Sequence, residues 1–263
     1  MRPVASLDRD EARRLRGLLF DLDDTLLTRG ALTREAYGAL CDLHDAGLRL
    51  VAVTGRPTVW GEVVARQWPI DGAVTENGAV RIVRDGHGVT LREDCDAAER
   101  SARRERLAAM VARVKTVVPE VELADDVAGR RADVAWDIGE RLKAPVDRVD
   151  AIAAEIVAAG ARTTRSSVHI HATFDPADKA TGAIAFLRET FGEDAGVARG
   201  RYAFIGDSGN DAACFGAFTT TFGVANVRPN LGRIAVPPRY VASREMGAGF
   251  AEVAAALLAR RAS

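Results

Sequence analysis

One short apolar run ends in three carboxylates and a threonine: Leu18-Leu19-Phe20-Asp21-Leu22-Asp23-Asp24-Thr25. A second, Tyr202-Ala203-Phe204-Ile205, gives way to Gly206-Asp207-Ser208-Gly209-Asn210-Asp211. Clustered carboxylates raise each other's pKa unless a cation or basic groups answer them. Neither stretch holds His or Cys, and an oxygen-only donor set favours a hard cation such as Mg²⁺. Lys179 stands in the first turn of an expected helix, where a cation opposes the macrodipole and gains nothing without a nearby anion. Thr54 closes a third apolar run and is followed by Gly55-Arg56-Pro57. Taken singly, these are a solvated acidic turn, an ordinary loop and a sharp glycine turn. Taken together, metal, lysine and hydroxyl fit a phosphoryl group, whose transfer depends on in-line positioning and charge neutralisation. A carboxylate can also be the nucleophile, and Asp21, which leads its loop, is the candidate.

The elements that must position these groups follow the chain. Residues 33–46 read as a helix between Thr33 and Gly47, and 48–53 as a second strand ending at Thr54. Strand, helix and strand in so short a span form the βαβ unit of a parallel sheet, with its right-handed crossover. Ligands bind beyond the carboxyl ends of such strands. A helix over 59–67 leads to a third strand at 71–75 and then Glu76-Asn77-Gly78. Residues 80–83 and 89–91 flank Asp85-Gly86, a hairpin signal, and antiparallel pairing inside a βαβ series implies that a second unit begins there. A long Arg- and Ala-rich helix over 97–118, a strand over 132–138, a helix over 145–159 and one or two strands over 162–173 complete that unit. Asp175 suits a helix N-cap, Pro176 the first helical position and Asp178 the third. A buried strand at 202–205, a last core strand at 219–224 and a C-terminal helix at 249–260 close the chain.

The expected architecture is α/β: a Rossmann-like, doubly wound parallel sheet from residues 1–78 and 174–263, with an inserted α+β cap at 79–173. The 263 residues, 48% hydrophobic and 28% charged, suffice for a large core. A formal net charge of -1 gives no global attraction to nucleic acid or to an anionic membrane. Cys41, Cys95 and Cys214 fit neither a disulfide framework nor a zinc site. With no signal core and no spanning apolar run, a cytoplasmic protein is expected, either monomer or homodimer.

The four motifs, Asp21-x-Asp23, Thr54, Lys179 and Asp207-x-x-Asn210-Asp211, in this order, resemble those of the haloacid dehalogenase-like superfamily of phosphatases. An insertion before Lys179 is similar to the subgroup holding Cof-like, sucrose-phosphate and mannosyl-3-phosphoglycerate phosphatases and phosphomannomutases. The resemblance implies that Asp21 attacks phosphorus, while Asp23 protonates the leaving group and then activates water. It implies that Asp21, the Asp23 backbone carbonyl and Asp207 hold Mg²⁺. Thr54 and Lys179 would bind phosphoryl oxygens, with the adjoining Gly55 and Arg56 as further substrate contacts. Asn210 and Asp211 would complete the metal shell or orient Lys179. Asp24 departs from the pattern, where many relatives have glycine.

Specificity then falls to the cap. His169 and His171 share one strand face and read either as solvated histidines or as contacts to a substrate hydroxyl. Arg130 and Arg131 read as a solvated loop or as a grip on a carboxylate or second phosphate, and Trp60, Trp68 and Trp136 as core aromatics. The expected substrate is a small phosphate ester, a sugar phosphate above others. Rival readings are a phosphomutase, a non-catalytic module on the same fold, which would lack a motif residue where none is missing, and a metal-dependent glycosyltransferase, which would leave Thr54 and Lys179 unexplained.

Overall fold

The computed structural model describes residues 1–141, 143–166 and 168–262. Its strands are β1 (Arg2–Pro3), β2 (Gly17–Phe20), β3 (Arg49–Val53), β4 (Gly72–Thr75), β5 (Val80–Asp85), β6 (Gly88–Arg92), β7 (Asp133–Asp137), β8 (Arg162–Arg165), β9 (His169–Thr173), β10 (Tyr202–Gly206), β11 (Thr220–Gly223) and β12 (Tyr240–Val241). The helices are α1 (Arg9–Arg14), α2 (Arg34–Asp45), α3 (Thr58–Gln67), α4 (Ala97–Val117), α5 (Val146–Ala158), α6 (Lys179–Phe191), α7 (Ala195–Arg201), α8 (Ala212–Ala217) and α9 (Met246–Ala262). The protein is α/β, built on a sheet in the order β1-β12-β11-β10-β2-β3-β4-β5-β6. Its pairs from β1 through to β4 are all parallel.

β2 is central and wholly buried. A strand buried on both faces reads as an unbroken apolar run, which is why 17–20 was legible. Its side chains alternate between faces. Leu18 and Phe20 join Leu40 and Leu43 of α2 and Phe250 of α9, and Leu19 joins Phe186 and Leu187 of α6. From β2 the chain winds outward through β3 and β4 on one side, and from β10 through β11 and β12 on the other. The reversal between β2 and β10 is the switch point where a crevice forms. Phe20 pairs with Ala52 and with Ile205, so the residues following all three strands emerge side by side.

Three expectations need correction. The hairpin does not open the second unit: β5 pairs antiparallel with β4, in register Thr75↔Val80, and extends the main sheet. Val80 and Ile82 are buried in the main core, so apolar burial draws the hairpin there. Asp175 does not cap α6 either. Asp178 does, accepting from Thr181 N at 2.8 Å in a reciprocal capping box, and α6 begins at Lys179. The buried Asp175 carboxylate is instead gripped by Arg100 at 2.6 and 2.9 Å and by Arg103 at 2.6 Å. A further short strand, β12, follows the one expected to be last.

The second layer is the antiparallel sheet β7-β9-β8 with α4 and α5. Its core gathers Leu107, Met110 and Val114, Ile152 and Ile156, and Trp136 and Ile170. Among the described residues, no helix is long and apolar enough to cross a membrane.

Candidate active site

Lys179 is fixed by close backbone approach before it is fixed by charge. Gly78 and Gly182 face each other: a Cβ on Gly78 would meet the Asp178 carbonyl oxygen at 2.0 Å, and one on Gly182 the Gly78 carbonyl oxygen at 2.4 Å. Only glycine permits this contact, which sets the first turn of α6 beside the loop after β4. Lys179 Nζ then donates to Asp21 Oδ1 at 2.9 Å and to Asp211 Oδ1 at 2.8 Å, with all three side chains buried. The unfavourable N-terminal position of this cation is thereby explained. Burial opposes its charge, yet the two carboxylates outweigh burial and raise its pKa above the usual lysine value.

The acids fit a hard cation. Oxygens of Asp21, Asp207 and Asp211 lie within 4.8 Å of one another. Burial first, and neighbouring carboxylates next, raise both Asp21 and Asp207 above the ordinary aspartate value despite Lys179. A divalent cation relieves that excess charge. Asp21 Oδ2 has no hydrogen-bond partner among the described residues. Asp207 accepts from Thr25 Oγ1 at 3.2 Å and from Asn226 Nδ2 at 3.0 Å. Asp211 is differently placed: its Oδ2 accepts from the amides of Asp207 and Ser208 at 2.9 and 3.1 Å, while its Oδ1 serves Lys179. It organises the loop and orients the lysine.

Thr54 is buried, and its Oγ1 accepts from Arg56 N at 3.1 Å, leaving the hydroxyl proton to donate elsewhere. Arg56 turns to Asp23: Nε lies 3.0 and 2.9 Å from the two carboxylate oxygens and Nη2 2.6 Å from Oδ1. Its guanidinium rests on the Trp60 ring, 4.4 Å from the centroid, so Trp60, 39% exposed, is a brace at the surface and not core. Trp136 is core as expected, and Trp68 packs partly buried against the main cluster.

A cavity opens over Asp21, Asp23 and Asp207 and is roofed from the second layer by Asp126, Glu140, His169 and His171. Gly55 and Asn210 also line it. Neither histidine is on a solvated face. His171 is buried with Nδ1 3.0 Å from Asp133 Oδ2, and His169 Nε2 lies 2.9 Å from Glu140 Oε2. Arg130 and Arg131 part company. Arg130 is buried between Asp133, Asp126 and the Gly55 carbonyl. Arg131 lies outside this cavity, half exposed and held by Glu93 at 2.6 Å.

Sequence reasoning missed two residues. Glu76, buried with φ at 50°, accepts from Thr58 N and Oγ1 and from the amides of Arg131, Ala132 and Asp133, tying the start of β7 to the main sheet. Burial and then Asp133 raise its pKa against these donors. Asn226 Nδ2 bridges Asp207 and the Asp24 carbonyl. Local pattern marks neither, because their partners are remote in the chain.

Residues 18–95 match the family of haloacid dehalogenase-like hydrolases. The whole fold is similar to the crystal structure of Thermoplasma acidophilum 0175, at 19% identity and TM-score 0.72, over 93% of this chain and 98% of that one. That segment resembles haloacid dehalogenase-like hydrolases, and the chain as a whole shares the fold of the Thermoplasma protein. The chain is also similar in fold to the sucrose-phosphatase of Synechocystis sp., solved with sucrose and phosphate, at 16% identity and TM-score 0.65 over 92% and 98% of the two chains. A subclass IIB sugar phosphatase of the same superfamily aligns at 17% identity and TM-score 0.61 over 92% and 96%. No curated protein sequence matches this chain.

Asp24 sits in the left-handed region, φ 55° and ψ 13°, which favours glycine. The conformation costs a non-glycine residue about 1–2 kcal/mol, against about 0.5–1 kcal/mol of extra backbone entropy for glycine. Burial and the charge of Asp23 also raise the Asp24 pKa, so its charge is unwelcome. Asp24→Gly should therefore raise Tm by about 2–4 °C. A thermal melt showing a decrease would contradict this reading of the turn.

Proposed function

We propose that the protein is a Mg²⁺-dependent phosphatase of the haloacid dehalogenase-like type, acting on a small phosphorylated metabolite, a sugar phosphate above others, through an aspartyl-phosphate on Asp21. The observation that carries this reading is Lys179 held between Asp21 and Asp211, beside Asp207 and at the mouth of neighbouring parallel strands. Such a group can neutralise a phosphoryl dianion while leaving one oxygen of Asp21 free to attack. The sucrose-phosphatase and the subclass IIB sugar phosphatase support the substrate class. Residues 1–78 and 174–263 would form the catalytic core and 79–173 the cap, although the hairpin's place in the large sheet argues for a boundary nearer Glu93.

In this mechanism an Asp21 oxygen forms a bond to phosphorus as the ester P–O bond breaks, and Asp23 gives its proton to the departing oxygen. Asp23 then takes a proton from water, whose oxygen attacks phosphorus, and phosphate leaves as the Asp21 carboxylate is restored. Arg56 must release Asp23 for the first of these steps and can hold it as the carboxylate needed for the second. Thr54 and Lys179 bind phosphoryl oxygens, and Gly55, Asn210 and His171 line the approach. Asp21 and Asp207, with the Asp23 backbone carbonyl, would hold Mg²⁺, which supplies positive charge to the phosphate oxygens. Cytoplasmic residence fits three free cysteines.

Phosphate release measured over sugar phosphates, phosphoglycolate, nucleotides and flavin phosphates should depend on Mg²⁺ and fall to background with excess chelator. Turnover that persists under chelation would refute the metal dependence. An isomeric sugar phosphate in place of free phosphate would point to a mutase.

A further inference from the structure

Among the described residues, the cap gives this cavity Asp126, Glu140, Ser166, His169 and His171 and no arginine or lysine, while Arg162, on the adjoining cavity that His171 also lines, is spent on the carbonyls of Asp175, Pro176 and Ala177. His171 Nδ1 is 3.0 Å from Asp133 Oδ2 and 3.5 Å from Arg130 Nη1. A carboxylate can only accept, so the shorter contact requires a proton on Nδ1. Arg130 Nη1 already serves Asp133 Oδ1 and the Gly55 carbonyl, both at 3.0 Å. Burial, followed by the charge of Arg130, outweighs Asp133 and keeps the ring neutral by lowering its pKa. Nε2, which has no partner among the described residues, therefore retains its lone pair.

The neighbouring cap groups on this cavity, Asp126 and Glu140, are carboxylates. Arg56 is the one arginine or lysine lining the cavity among the described residues, and Asp23 occupies its guanidinium. Arg130, which from sequence could have gripped an anion, spends its charge on Asp126 and Asp133. Arg165 opens on a different cavity, beside Thr163 and Asn230.

We propose that this wall selects a leaving group rich in hydroxyls and free of a second anion. His171 Nε2 is the specificity-determining acceptor, and Asp133 is the positioning residue that fixes its tautomer. The inference rests on the phosphatase reading above. A hydroxyl entering here finds an acceptor already oriented, whereas a carboxylate or second phosphate meets Asp126 and Glu140 with no cation to answer it. Specificity of this kind comes as much from the penalty on the wrong group as from contacts to the right one.

The test compares three esters with the Mg²⁺-loaded enzyme: methyl phosphate, glycerol 3-phosphate and 3-phosphoglycerate. The last two share a carbon skeleton and differ by a CH₂OH against a carboxylate, while methyl phosphate reports the phosphoryl chemistry itself. Wild type should favour glycerol 3-phosphate over 3-phosphoglycerate by about tenfold or more in kcat/KM. In Asp133→Asn the amide can donate to Nδ1, moving the proton to Nε2 and turning the acceptor into a donor. The preference should then fall by about tenfold, chiefly through KM. Should that variant not fold, the same fall in His171→Gln decides the matter.

Equal or better use of 3-phosphoglycerate by an enzyme that turns over methyl phosphate would overturn this inference and leave the phosphatase reading intact. An unchanged ratio in a folded Asp133→Asn protein would do the same. Hydrolysis of none of the three esters would remove the phosphatase reading and this inference with it.

Discussion

Asp21→Asn should abolish turnover while leaving the protein folded, with kcat reduced on the order of 10⁴-fold or more, as for loss of other nucleophiles. The amide is nearly isosteric with the carboxylate, and its oxygen can still accept from Lys179, which also keeps its bond to Asp211. What disappears is the free anionic oxygen able to bond to phosphorus. Because burial already raises the Asp21 pKa, removing this charge should cost little stability, and the thermal melt should stay close to wild type. Beryllium fluoride with Mg²⁺ should trap a phosphoryl mimic on Asp21 of wild type and not on the variant. A structure or mass spectrum that places the adduct elsewhere, or substantial turnover in the folded variant, would overturn the assignment of the nucleophile.

The core was legible because its signals are local. Buried parallel strands appear as apolar runs: 18–20 and 50–53 break at the residue that enters the site, and 203–205 ends one glycine before it. Their adjacency followed from βαβ logic, so Asp21, Thr54 and Asp207 could be brought together without coordinates. The hairpin shows the limit of that approach. Asp85-Gly86 specifies a turn, but nothing within 80–92 states which sheet the paired strands will join. That choice belongs to Val80 and Ile82 packing into the main core.

The surroundings of the cap residues were not legible for a related reason. Arg130 and Arg131 are neighbours in sequence, yet one is buried against Asp133 and the other leans out to Glu93. Their fates depend on Glu76, whose carboxylate pins the backbone at 131–133 from 55 residues or more away in the chain. His171 likewise reads as a solvated strand residue until Asp133, 38 positions earlier, is found opposite it. The N-cap of α6 was missed by three residues: a Pro after an Asp is a common start, but the reciprocal Asp178 and Thr181 bonds outcompete it, and Arg100 claims Asp175. This last point bears on function, since it makes Lys179 the first residue of its helix.

Lys179→Met should damage stability as well as activity. Methionine matches the lysine stem in length and removes only the ammonium, so the effect reports charge and not a cavity. Breaking a buried ion pair by deleting one partner costs about 3–5 kcal/mol, because the remaining charge is left uncompensated. Here two carboxylates, Asp21 and Asp211, are stranded beside Asp207. Tm should fall by about 10 °C, and phosphate release should be lost along with the cation facing the phosphoryl group.

The pH dependence separates this cause from a packing defect. Without the lysine, the stranded carboxyls have folded-state pKa values raised above their unfolded values, so the folded state binds more protons and the variant loses stability as pH rises. The gap to wild type should therefore narrow between about pH 8 and about pH 5, as these carboxyls become protonated. Mg²⁺ in the buffer should also recover part of the lost Tm, since a cation bound by Asp21 and Asp207 replaces some of the missing charge. Calorimetric melts with and without Mg²⁺ at both pH values test both effects. A deficit independent of pH and of Mg²⁺ would show that the lysine acts through packing alone, and a wild-type Tm would remove it from the electrostatic centre of the site.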